Sequence, residues 1–128
     1  MQGLVTPAPS PTGSDLPVLD LAAFERTAGF LDPDAIRSYM QTLATRSEAL
    51  LREVHDQASV AAGTGGLLES AHALAGSASL LAFQRLAFTA RSYERAVETG
   101  SPEIPARTAQ LIAAIEASLP EMQSRASR

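Results

Sequence analysis

The chain reads as an all-α protein: an antiparallel up-down-up-down four-helix bundle with a short additional helix at its N-terminal side. Three observations predict this. Apolar residues recur at three- and four-residue steps in long stretches, no segment alternates apolar and polar residues as a half-buried strand does, and Gly or Pro clusters separate the stretches. Helices joined by loops of a few residues pack as antiparallel neighbours.

Residues 1–17 carry Pro7, Pro9, Pro11 and Pro17 among Gly, Ser and Thr, with no hydrophobic period, and read as a flexible Pro-rich leader to a bundle domain over 18–128. From Val18 to about Thr27, Leu19, Leu21, Ala22 and Phe24 outline a short amphipathic helix that caps one end of the bundle. Asp32-Pro33-Asp34 is a helix start, with Asp32 as N-cap, Pro33 at the first helical position and Asp34 favourable toward the dipole. Ile36, Met40, Leu43, Ser47, Leu50, Val54 and Ala58 then form one stripe, broken by Gly63-Thr64-Gly65-Gly66.

The next helix is expected from about Leu67 to Ala82, burying Leu67, Ala71, Leu74, Ala78 and Leu81. Phe83, Leu86, Ala90, Tyr93 and Val97 mark another, which stops at Thr99-Gly100. Ser101-Pro102-Glu103 restarts the chain, and Ile104, Thr108, Leu111, Ile115 and Leu119 give the last stripe. Pro105 is tolerated in a first turn, whereas Pro120 is expected to kink or end the helix near Leu119.

With 128 residues and 45% hydrophobic content, the chain forms one domain whose core needs neither disulfide nor metal. The absence of Cys excludes thiolate metal sites and thiol redox chemistry. No apolar run reaches the roughly 20 residues that span a bilayer, and no signal-peptide pattern opens the chain, so a soluble cytoplasmic protein without membrane partners is expected. The net charge of −4, with all ten cations Arg and no Trp, argues against nucleic-acid binding.

Against this background the run Ala71-His72-Ala73-Leu74-Ala75-Gly76-Ser77-Ala78 stands out. His72 is one residue out of phase with the buried stripe, so its ring falls on the flank and reaches solvent. Gly76 lies one turn further on the same face, although a mid-helix glycine costs about 1 kcal/mol relative to alanine. Bare backbone beside that imidazole therefore calls for a reason.

Three roles fit a flank histidine. It can be a solvated or core-edge residue with no chemistry. It can ligate metal, since Glu69-Ser70-Ala71-His72 has the Glu-x-x-His spacing of dimetal bundles, but the second such pair is missing because His55 has Arg52 three residues before it. Finally, an imidazole with an ordinary pKa of about 6.5 is a good nucleophile near neutral pH, and a transient phosphohistidine splits one phosphoryl transfer into two. Such a carrier needs only a ring on a rigid convex face and room for its partner, which Ala75, Gly76 and Ser79 supply. His55, in Glu53-Val54-His55-Asp56 with no glycine on its face, reads as a solvated flank residue.

The segment Ala71 to Leu81 resembles the signature of histidine-containing phosphotransfer (HPt) domains: His-x-Leu-Lys-Gly-Ser/Ala, then small residues, then Leu-Gly. Leu86, Ala90, Tyr93 and Glu94 match the family's following helix, Val18-Leu19-Asp20 is similar to its short first helix, and the resemblance covers about residues 18–119. It implies that His72 accepts a phosphoryl group from a receiver-domain aspartate and passes it to another. The receivers would belong to response regulators or hybrid histidine kinases and carry the Mg²⁺, leaving this chain a monomeric relay component with no cofactor or metal and no ATP-dependent kinase activity of its own. No Gly-rich phosphate loop with a Lys occurs.

The resemblance further implies an apolar docking patch beside the histidine, here Leu68, Ala75, Gly76 and Ser79, joined by Tyr39 or Met40 from the long helix. Two positions depart from the family pattern: Ala75 replaces the usual Lys or Arg, and Ala82 the second Gly. At an exposed site the lost cation is worth roughly 0–1 kcal/mol, and Arg85 or another Arg is a candidate to replace it. The same departure leaves open a non-catalytic bundle that binds a receiver or kinase domain without carrying phosphate.

Overall fold

The computed structural model describes residues 15–56 and 65–127, and among these the chain forms five helices and no strand. They are α1 (Leu21–Ala28), α2 (Pro33–His55), α3 (Gly65–Leu80), α4 (Gln84–Thr99) and α5 (Ile104–Ala126). Most of the Pro-rich leader, Ala58 and Gly63-Thr64 lie outside the described residues.

The helix starts follow from local chemistry. Asp32 caps α2 by accepting the Asp34 amide at 3.0 Å, with Pro33 where its missing N–H costs nothing. Asp20 caps α1 by accepting the Ala23 amide at 3.1 Å, so Val18, Leu19 and Asp20 precede the first helix instead of forming it. Gly65 and Gly66, expected in the break, open α3, where Leu67 is already buried and anchors the first turn.

Packing follows the predicted stripes. Met40, Leu43, Ser47, Leu50 and Val54 of α2 are buried, as are Leu67, Ala71, Leu74 and Ala78 of α3, with Leu81 just after it, and Leu86, Ala90 and Tyr93 of α4. Leu111 and Ile115 of α5 complete one cluster, against which Ile36, Val97 and Leu119 pack half-buried. α2 touches α3 and α5, and α4 touches α3 and α5, so the four long helices close a ring of neighbours. No helix among the described residues is long and apolar enough to cross a membrane.

Two backbone features differ from expectation. α3 ends at Leu80, short of Ala82, because the chain folds back in a Schellman turn: the Phe83 amide donates to the Ala78 carbonyl at 2.8 Å and the Ala82 amide to that of Ser79 at 3.1 Å. This turn needs a left-handed residue, and Ala82 supplies it with φ 67°. The same bonding ends α4, where Gly100 takes φ 63° without a Cβ penalty. The second Gly of the resembled motif thus corresponds to a strained alanine here.

The other correction concerns Pro120, which does not end the helix near Leu119: α5 continues through it to Ala126. One backbone hydrogen bond is lost at the proline. Burial of Ser118 and Met122 on either side, and the Arg125 guanidinium 4.9 Å from the Phe24 ring centroid, hold the following turns in register.

α1 is clasped to the α3–α4 turn. The Asp20 amide donates to the Ala82 carbonyl at 2.9 Å, Gln84 Nε2 donates to Asp20 Oδ2 at 2.7 Å, and Arg85 Nε donates to the Leu16 carbonyl at 2.8 Å.

Ala82→Gly is expected to stabilise the protein by about 1 kcal/mol in denaturant unfolding, since relief of the left-handed strain exceeds the added backbone entropy. Met122→Ala should lose about 2–5 kcal/mol, the cost of a core cavity, whereas a helix ending at Leu119 would leave stability nearly unchanged.

Candidate functional site

His72 owes its position to the residues around it on α3. Ala71, Leu74, Ala75 and Ala78 are buried and fix the rotation of the helix, which leaves the His72 side chain 78% exposed. On the neighbouring helix Tyr93 is buried, and this burial pushes its phenol above the usual range, so it stays neutral at all ordinary pH. Tyr93 and Ala90 set the rotation of α4, and the next residue, Glu94, leans across to α3.

The two side chains meet. His72 Nδ1 lies 3.0 Å from Glu94 Oε2 and 3.4 Å from Oε1, and the Glu94 side chain is 19% exposed. An ionised carboxylate only accepts, so Nδ1 carries the proton and donates it. In the neutral ring the lone pair then resides on Nε2, the nitrogen left without a partner among the described residues. A carboxylate that holds one nitrogen of an exposed imidazole orients the ring and neutralises positive charge that develops when the other nitrogen attacks an electrophile.

Glu94 was not among the candidates that sequence reasoning selected, although it fell within the resembled segment. The available signal was its separation of 22 residues from His72, nearly symmetric about the α3–α4 turn, which brings such positions level in a helical hairpin.

The predicted docking residues divide. Ser79 is exposed and lines a surface hollow together with His72, Leu80, Ala87, Phe88 and Glu94. Gly76 is exposed, and a Cβ placed on it meets nothing within 4 Å. Leu68 is half-buried one turn before His72. Ala75 is only 2% exposed and belongs to the core cluster, so it cannot form part of a contact surface: about 60° round the helix from His72, it lies on the side of the buried stripe. Met40 is fully buried for the same reason, and Tyr39, though exposed, does not border the hollow. Leu80, 58% exposed, supplies apolar surface that the periodicity did not single out.

Arg85 is held by the Leu16 carbonyl. Glu69 is exposed, and among the described residues no group of three or more His, Cys, Asp or Glu could hold a metal ion. His55 is exposed at the end of α2, with no hydrogen bond from its ring among the described residues.

No family model matches the chain, and no curated protein or solved structure matches it significantly.

Because a methyl group at Gly76 meets only open space, Gly76→Ala should raise stability by about 0.5–1 kcal/mol, read as a higher denaturant midpoint with unchanged slope. A destabilised variant would make Gly76 a packing requirement of the bundle itself.

Proposed function

We propose that this chain is an HPt-type phosphorelay carrier, built as an antiparallel four-helix bundle with α1 across one end, in which His72 Nε2 accepts a phosphoryl group from one receiver-domain aspartate and delivers it to another. The observation that carries this reading is the His72–Glu94 hydrogen bond on an otherwise open ring. Short turns between helices that pack side by side, such as residues 81–83 between α3 and α4, support the antiparallel arrangement.

In the forward step the Nε2 lone pair attacks phosphorus, an N–P bond forms, and the aspartyl P–O bond breaks with its electron pair returning to the aspartate carboxylate. No proton need leave the protein. The ring, protonated at Nδ1, gains positive charge that the Glu94 carboxylate balances. Attack by a second aspartate reverses these changes. The receiver supplies its own Mg²⁺ and carboxylate, and this chain supplies a positioned nucleophile with no ATP-binding machinery of its own.

Gly76 supports the same reading. Its helix penalty of about 1 kcal/mol has no internal packing reason, whereas a partner approaching His72 from solvent requires the clearance it gives. Ser79, Leu80 and Phe88 offer that partner a mixed apolar surface beside the ring. The lack of a cation at position 75 favours a second reading, in which the bundle binds a receiver or kinase domain without carrying phosphate.

The deciding experiment incubates the protein with phosphorylated receiver domains and follows acid-labile label. His72→Gln is expected to take none, His55→Gln to label as the parent does, and Glu94→Ala to slow transfer about fivefold, equivalent to a contact of about 1 kcal/mol. Receiver binding that survives in His72→Gln, with no label on the parent protein, would establish the binding-module reading instead. Gly76→Trp should block labelling while the bundle stays folded.

A further inference from the structure

We infer that Arg91 of α4 is the cation of this site, engaging the phosphoryl oxygens that the proposed chemistry places on His72; the inference rests on that reading. A phosphoryl group on Nε2 would stand near the Glu94 carboxylate, a like charge that disfavours it unless a cation intervenes. Position 75 provides none. Arg46 donates to Ser77, Arg85 to Leu16, and Arg107 to Glu103 and Gln110, so these guanidinium groups are engaged elsewhere.

Arg91 and Arg95 are different. Both are exposed, both line the hollow that contains His72 and Glu94, and among the described residues neither guanidinium has a hydrogen-bond or ion-pair partner. Helix geometry separates the two. Arg91 precedes Glu94 by three residues, on the same rim of α4 and about 4.5 Å along its axis toward the α3–α4 turn. With α3 and α4 antiparallel, that level corresponds to Ala75 and Gly76, the turn that follows His72. Arg95 is rotated about 100° from Glu94, away from the buried side of α4.

Gly76, on that level of α3, adds no side chain of its own, and nothing lies within 4 Å of where its Cβ would be. A guanidinium on a flexible stem can reach from the rim of the hollow toward the ring and present its planar fork to phosphoryl oxygens. Arg91 thereby takes from the neighbouring helix the role that a cation on α3, at the buried position 75, would otherwise fill. It acts as a positioning and charge-balancing residue, while His72 remains the nucleophile.

Two measurements on the full chain test this. In a His55→Gln background, His72 is phosphorylated chemically with phosphoramidate, which needs no protein partner, and the arginine Nε–H resonances are followed by NMR. The Arg91 signal should move on phosphorylation and the Arg95 signal should not. In the second measurement, the equilibrium partition of phosphoryl between His72 and a receiver should shift about two- to fivefold toward the receiver in Arg91→Ala. Arg91→Lys should restore most of it, Arg95→Ala should match the parent, and the Arg91→Ala effect should shrink in high salt as screening predicts. An unmoved Arg91 signal, or an equal loss in Arg95→Ala, overturns the assignment. Failure of every receiver to label the parent protein sinks the relay reading instead, and the chemically phosphorylated protein still reports on Arg91.

Discussion

The site depends on the Schellman turn between α3 and α4. Its two backbone hydrogen bonds, from Phe83 to Ala78 and from Ala82 to Ser79, fold α4 back along α3 within three residues. Phe83 is fully buried, so the turn is anchored from inside, and the Asp20 amide on the Ala82 carbonyl anchors it from outside. Once the turn is closed and Leu74, Ala78, Leu86, Ala90 and Tyr93 are buried together, the rotation of both helices is settled. Glu94 then reaches across to α3, where it meets His72. Ala82 bears strain at the same turn, which shows that the return of the chain is favoured strongly enough to hold a non-glycine residue left-handed.

Stability and reactivity are segregated on α3. One face is dry and made of small and branched apolar residues, which permits close approach of α4. The other carries His72, Gly76 and Ser79 into solvent. Gly76 weakens the helix without serving its packing. The proposed carrier function gives it a reason, since a nucleophile that serves two partners must be both rigidly held and unobstructed.

Much of the fold was legible in the sequence, because an amphipathic stripe records burial directly. The stripes of α2, α3 and α4 are buried nearly residue for residue, and Asp32-Pro33 starts α2 where its capping chemistry predicts. Other features were not legible, each for a physical reason. Pro120 carries a local signal to stop, which the burial of Met122 and the stacking of Arg125 on Phe24 override. Ala82 lacks the glycine that normally announces a left-handed cap. Ala75 sits between the core stripe and the flank, where only the position of α4 decides whether it is covered.

The sequence by itself determined an all-helical chain, the positions of its core stripes, and an imidazole set off-phase on a helix flank with a glycine one turn away. These are properties of one helix and its period, and a single segment encodes them. Only the tertiary structure decided that Glu94 holds Nδ1, that Ala75 is withdrawn from the surface, and that Arg91 and Arg95 overlook the same hollow as His72. Each of these is a relation between helices, set by the closing of the α3–α4 turn and the rotation at which two buried stripes fit, and no periodicity within one helix can record it.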